Sequence, residues 1–284
     1  MRLTVLGCRS GMPAGGQCSS SYLVETDSTR VLLDCGPGAM TALSAVMRPW
    51  DLDGVIISHL HLDHCYDLLP LGKAMLAGRV HRSMGSLMTI PTLPEMADYV
   101  DRLPVPLYVP RGGRETLNTL ATLFPVTTIP LLDKAFEVAF EVREYTPGDL
   151  FTISDLEIGL HELRHAVPNC GIRVESSGGS LAYTGDTGFT DALVPLARNV
   201  DLLLSEATLA VPDGTAHGHL CATEAGTVAR AAGVGQLVLT HFATAEARWL
   251  EARKADAERV FDGPVRLAAP AGQFDVRYSR KVMG

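Results

Sequence analysis

The sequence predicts an α/β protein in which two β-sheets pack face to face and helices cover their outer sides. Three observations carry this expectation. Short apolar strands cluster early in each half of the 284-residue chain, with helical segments interspersed. No Ser/Gly/Pro-rich or charged run divides the chain, so one domain over residues 1–284 is expected. Apolar residues make up 46% and charged residues 20%, which supplies a sizeable core in a chain of ordinary globular composition.

The elements follow in order. Residues 2–6 (RLTVL), 20–25 (SSYLVE) and 30–34 (RVLLD) concentrate Val, Leu and Tyr between Gly, Pro and Asp/Ser punctuation, and read as strands. Gly36–Pro37–Gly38 turns the chain into an Ala/Leu/Met-rich helix over 39–47. The run VIIS at 55–58 is a buried strand, a polar cluster begins where it ends, and a helix over 67–78 comes next. Residues 80–104 carry Met84, Met88, Met96 and three prolines without a steady period. They read as an inserted excursion, either a lid or a contact surface. A strand at 106–109, a helix at 113–123, and strands near 136–145, 150–153, 156–164, 171–176 and 180–184 follow. The last third alternates: helix 190–198, strand 201–205, helix 223–232, strand 236–240, helix 245–260, and a final strand pair within 265–278. No repeat with a period of about 20–50 residues is evident.

Composition narrows the function classes. A net charge of −8 makes the chain a poor generic binder of nucleic acid polymers or anionic membranes. A small anionic substrate held by metal remains compatible with it. The start, MRLTVLG, is a strand rather than a basic segment leading into an apolar core and a cleavage site. No apolar stretch reaches the roughly 18–20 residues that a spanning helix needs, so a cytoplasmic protein is expected. Six cysteines (8, 18, 35, 65, 170 and 221) form no CxxC pair and read as small buried thiols rather than a disulfide framework. Cys65 and Cys221 lie near candidate site histidines.

The chemistry concentrates at SHLHLDHC, residues 58–65. His59 and His61 are two apart, so in an extended segment they project the same way. Asp63 and His64 sit in the turn into the next helix, where a loop can wrap them toward more than one ion. A lone histidine in such a place is ordinarily satisfied by hydrogen bonds. Three histidines and an aspartate in six positions are unfavourably crowded without a metal, and imidazole with carboxylate suits zinc, with manganese or iron as alternatives. Four ligands do not fill two sites, so more are expected downstream at strand ends. His165 follows the strand 156–164, Asp186 breaks a strand in YTGDTG, and His241 follows QLVLT.

SHLHLDH, the later His165, TGDT and LTHF together resemble the ordered signature of the metallo-β-lactamase superfamily across essentially the whole chain. The resemblance implies a four-layer αβ/βα sandwich, two mixed sheets flanked by helices, with the active site along one edge. It implies that His59, His61 and His165 bind one metal, that Asp63, His64 and His241 bind a second, and that Asp186 and a hydroxide bridge the two. SEAT (205–208) and GHLCATEAG (218–226) resemble boxes of the tRNase Z-like phosphodiesterase branch, with Ser205 standing where that branch usually has His. There the pattern pairs Glu206 with His219 as a proton relay to the leaving oxygen, and a carboxylate bonded to imidazole does raise its basicity. His217 is a neighbouring rival that reads as a loop histidine.

The resemblance thus implies a binuclear metal-dependent hydrolase with Asp63, His219 and Glu206 as its catalytic groups. A phosphodiesterase acting on a small phosphodiester such as a cyclic nucleotide fits best. Asp186 follows His165 by 21 positions, with no basic Gly/Pro-rich arm between them, which disfavours tRNA 3′-processing. The alternatives are an ester, lactone or thioester hydrolase, whose carbonyl the same hydroxide would attack, and a non-catalytic binding protein. The expected partner is a small-molecule substrate, and a homodimer is common in this branch.

Overall fold

The computed structural model describes residues 1–84, 104–127, 130–215 and 217–277. Its first sheet is built from β1 (Arg2–Gly7), β2 (Ser21–Glu25), β3 (Arg30–Leu33), β4 (Gly54–Ile56), β5 (Val105–Pro110) and β6 (Phe140–Tyr145). Its second is built from β7 (Leu150–Ile153), β8 (Leu156–Leu163), β9 (Asn169–Ser176), β10 (Gly179–Tyr183), β11 (Leu202–Glu206), β12 (Gln236–Thr240) and β13 (Val265–Leu267). A last strand, β14 (Gln273–Asp275), returns to the first sheet. The orders are β14-β1-β2-β3-β4-β5-β6 and β13-β12-β11-β10-β9-β8-β7.

Both sheets are mixed on the same plan. β14, β1, β2 and β3 are antiparallel, and β3 to β6 run parallel. β7 to β10 are antiparallel, and β10 to β13 run parallel. Parallel strands covered on both faces read as continuous apolar runs, which accounts for GVI in β4 and LLL in β11.

Strand alternation sorts the side chains into layers. In β1 to β3, Leu3, Val5, Tyr22, Val24, Val31 and Leu33 face the second sheet. Leu6, Leu23 and Leu32 face the helices of the opposite side. There α1 (Ala39–Val46), α2 (Leu62–Cys65), α3 (Leu68–Met84) and α4 (Gly113–Leu123) lie on the first sheet. The second sheet is covered by α5 (Leu193–Ala197), α6 (Ala222–Ala232) and α7 (Ala247–Glu258). The Tyr22 and Tyr183 rings meet across the inter-sheet layer at 5.0 Å. The Tyr22 hydroxyl also bonds Thr240 Oγ1 at 2.7 Å. The result is the expected four-layer αβ/βα sandwich.

Three element expectations need correction. Residues 135–139 form a π-helical turn, not the start of a strand, because Phe136 and Ala139 pack into the helical layer; β6 begins at Phe140. The helix expected over 190–198 is confined to Leu193–Ala197, with Pro195 at its centre unable to donate a backbone bond. β13 and β14 do not pair with each other: β13 lies beside β12, whereas β14 crosses to β1. Within the proposed excursion at 80–104, residues 80–84 extend α3 and residue 104 leads into β5. The remainder lies outside the described residues.

Candidate metal centre

Every candidate ligand sits just past the end of a strand or in the turn that follows one. His59, His61, Asp63 and His64 follow β4, with His61 preceding α2 and Asp63 and His64 inside it. His165 follows β8, Asp186 follows β10, and His241 follows β12 directly. Two of these exits use left-handed backbone. Gly185 has φ 57° and His241 φ 55°, a conformation uncommon for a non-glycine residue. The turn at Gly185 is tight as well: a Cβ there would stand 2.7 Å from Asn169 Oδ1 and 2.9 Å from Ser58 Cβ.

These exits converge. The donor atoms of His59, His61, His165 and Asp186 lie within 4.8 Å of one another, as do those of Asp63, His64, Asp186 and His241. Asp186 is shared and its two oxygens face different ways. Oδ2 lies 3.7 Å from His59 Nε2 and 4.0 Å from His165 Nε2. Oδ1 lies 3.3 Å from both His64 Nε2 and His241 Nε2. His61 Nδ1 is 3.1 Å from both His59 Nε2 and His165 Nε2. Four ligands about 2.05 Å from a tetrahedral ion stand roughly 3.3 Å apart, so this spacing fits.

The residues behind the cluster fix which ring nitrogen faces it. A carbonyl only accepts, so His165 Nδ1–H donates to Gly218 O at 2.9 Å and the Nε2 lone pair points inward. His64 Nδ1–H donates to Asp34 Oδ2 at 2.6 Å. The one proton of the Thr208 hydroxyl goes to Glu206 Oε2 at 2.7 Å, so the same oxygen accepts from His241 Nδ1–H at 2.8 Å. Nε2 of His64 and of His241 are thereby free to bind a cation. Among the described residues His64 Nε2 and Asp186 Oδ1 are buried without a hydrogen-bond partner, an expensive arrangement unless an ion completes it. The set is chemically suited to divalent metal.

Electrostatics point the same way. Burial holds the His59 pKa well below its ordinary value, with His64 adding to the effect, so its imidazole is neutral. Burial also lowers His61 and His165. Burial opposes charge on His64 too, but Asp186 and Asp34 outweigh it and raise its pKa well above normal. Burial would raise Asp186 and Asp63; His241 and His64 reverse this and hold both carboxylates well below their usual range. The pocket floor therefore favours positive charge. Asp63 Oδ2 also accepts from Gly11 N at 2.8 Å, which brings the loop after β1 to the rim.

Beside the second ligand group lies a carboxylate–imidazole pair. Glu206, fully buried at the end of β11, accepts His219 Nδ1–H and Thr187 N–H on Oε1 at 2.9 and 2.6 Å. Among the described residues no hydrogen bond engages His219 Nε2. Burial would lower the His219 pKa, but the bond to Glu206 and the charge of Asp186 outweigh it and leave the pKa raised. His219 stacks 5.7 Å from His241, and His217 is exposed, 4.9 Å from the His219 ring. The structure thus gathers all nine candidate residues.

Asp34 was not anticipated. It is fully buried and accepts from Ser58 N, Ser58 Oγ, His64 Nδ1 and Tyr183 OH at 2.7, 2.8, 2.6 and 2.6 Å. The available signal was its place after an apolar strand and before Gly36–Pro37–Gly38, the kind of position the ligands themselves occupy. The cysteines are all free, and Cys65 and Cys221 are buried. Among the described residues no helix is long and apolar enough to cross a membrane.

Residues 29–242 match the β-lactamase superfamily domain. Over 280 residues the chain is 35% identical to uncharacterized protein Rv1339 of Mycobacterium tuberculosis, covering 98% of this chain and 93% of the relative. It is 28% identical over 269 residues to the probable metallo-hydrolase YhfI of Bacillus subtilis, 94% and 97% of the two chains. The crystal structure of YhfI, a metallo-β-lactamase fold protein, matches with a TM-score of 0.77 at 27% identity, over 96% of this chain and 98% of that one. A ribonuclease Z of Mycobacterium bovis is 27% identical over 299 residues, 99% and 100% of the two chains.

Proposed function

Because the chain belongs to the β-lactamase superfamily of metallo-hydrolases, we propose that it is a phosphodiesterase that hydrolyses a small phosphodiester such as a cyclic nucleotide. The observation that carries this reading is the Glu206–His219 pair, set beside the second ligand group with Nε2 unengaged. A phosphodiester needs a proton on its departing alkoxide, and an imidazole with a raised pKa is suited to give one. Similarity to a ribonuclease supports phosphorus as the reacting centre.

His59, His61 and His165 would hold one divalent cation, zinc by donor type, and Asp63, His64 and His241 would hold a second, with Asp186 common to both groups. When bound, the cations supply an activated water and concentrated positive charge at the oxygens of the reacting group. Asp63, anchored by Gly11 N, orients the attacking water and takes up its proton at a carboxylate oxygen. Glu206 holds the His219 ring through Nδ1, so that Nε2 delivers a proton to the leaving oxygen. Thr208, between Glu206 and His241, couples the acid to the cradle.

The test compares bis(p-nitrophenyl) phosphate and cyclic AMP with nitrophenyl esters and lactones, using zinc-loaded protein. Turnover of the phosphodiesters above that of the carbonyl substrates is expected. His219→Ala should slow cyclic AMP, a poor leaving group, by about 10²–10⁴-fold while largely sparing the nitrophenyl phosphodiester. Turnover confined to esters or lactones overturns the phosphodiesterase reading, and equal losses on both phosphodiesters remove the acid role.

A further inference from the structure

We propose that Arg164 is a positioning residue whose guanidinium fastens the loop carrying His219 to the loop that follows Asp186, and so fixes the imidazole against the leaving oxygen. The inference rests on the hydrolase reading above and concerns a side chain that takes no part in the ligand set.

Arg164, on the turn after β8, touches two other loops at once. Its Nη1 donates to Thr215 O at 3.0 Å and its Nε donates to Phe189 O at 3.3 Å. Its own carbonyl accepts from Gly188 N at 2.8 Å and from Thr187 Oγ1 at 3.2 Å. The loop it holds has few other ties. Leu209 N–H bonds Leu220 O at 3.0 Å and closes the neck. Inside the loop, Asp213 accepts from Thr215, on Oδ1 from the backbone and on Oδ2 from the hydroxyl. Among the described residues, two hydrogen bonds join the loop body, 210–218, to the rest of the protein: Arg164 Nη1 to Thr215 O, and His165 Nδ1 to Gly218 O. Val211 in that loop is 69% exposed, and among its described residues only Gly218, at the end, is buried.

The site of the guanidinium is shaped to take it. A Cβ on Gly188 would stand 1.8 Å from Arg164 Nη2 and 2.4 Å from Cζ. The planar group therefore lies against the bare α-carbon, and alanine at 188 would expel it. A rigid fork reaches two carbonyls on different loops at once, which a lysine ammonium on a flexible stem does not reproduce. Charge-assisted bonds of this kind are the stronger class.

Two variants test this independently: Arg164→Lys removes the fork, and Gly188→Ala displaces an intact arginine. Zinc content and melting temperature establish that each variant folds. In both, backbone amides of 210–219 should exchange with deuterium roughly tenfold faster or more, while strand amides stay as in the wild type. Both should slow cyclic AMP about tenfold or more, with the nitrophenyl phosphodiester little changed. Neither should add to the loss in a His219→Ala background, since residues acting through one group are not additive. Unchanged exchange in the loop overturns the proposal, as do equal losses on both substrates or full additivity with His219→Ala. If the zinc-loaded wild type cleaves no ester of either kind, the hydrolase reading falls by itself, and the exchange measurement still decides the clamp.

Discussion

At Asp34 one buried carboxylate orients a ligand, a strand end and the opposite sheet together, through His64, Ser58 and Tyr183. Its backbone is left-handed, with φ 56°, a region that asparagine tolerates better than most residues. Asp34→Asn keeps the side-chain shape but removes the charge that steadies His64 and turns an NH2 toward a former donor, so stability should fall as well. Zinc affinity should fall about 10–100-fold, read by competition with a chromophoric chelator; unchanged affinity would count against this role. The candidate ligands were legible because their chemistry is crowded: HxHxDH admits few innocent explanations. Asp34 was not, because an aspartate between a strand and Gly–Pro–Gly has an adequate account as a turn former. Its role shows only when one asks what fixes the far nitrogen of His64.

The elements were legible where hydrophobic periodicity decides them and obscure where tertiary pairing does. Each strand from β1 to β12 overlaps a segment that reads as a strand, some as continuous apolar runs such as LLL in β11 and some with polar residues between, as in FEVREY of β6. The π-helical turn at 135–139 carries the same apolar composition as a strand, so only its packing against the helices distinguishes it. The separate destinations of β13 and β14 depend on which sheet edge is free, something no local pattern encodes. What matters for the centre is how strands end. Gly185 turns the chain out of β10 so that Asp186 faces both ligand groups. Gly185→Ala would force a side chain into left-handed backbone and against Ser58 and Asn169. A loss of about 1–3 kcal/mol in denaturant unfolding is expected, together with weaker binding of both cations. A variant as stable as the wild type would show that the turn relaxes freely.

Taken whole, the molecule is two similarly organised sheets with the centre at their common edge. His59, His61, Asp63 and His64 come from the first sheet, and His165, Asp186 and His241 from the second. A cation held there would link the two halves and stabilise the folded state by mass action. At free zinc a hundredfold above the dissociation constant, the gain is about 2.7 kcal/mol, or roughly 5–10 °C in melting temperature. Chelation should remove it, and restored zinc should return it; a melting temperature indifferent to chelator would show that the seven side chains do not bind metal in the native protein. The placement of these donors also has a temporal side. When a ribosome has released residue 64, only part of the donor set exists, and the last member waits until residue 241 has left the exit tunnel. The first histidines emerge early and incomplete, so a cation that needs the whole donor set could be held securely only by the finished polypeptide rather than guide its synthesis.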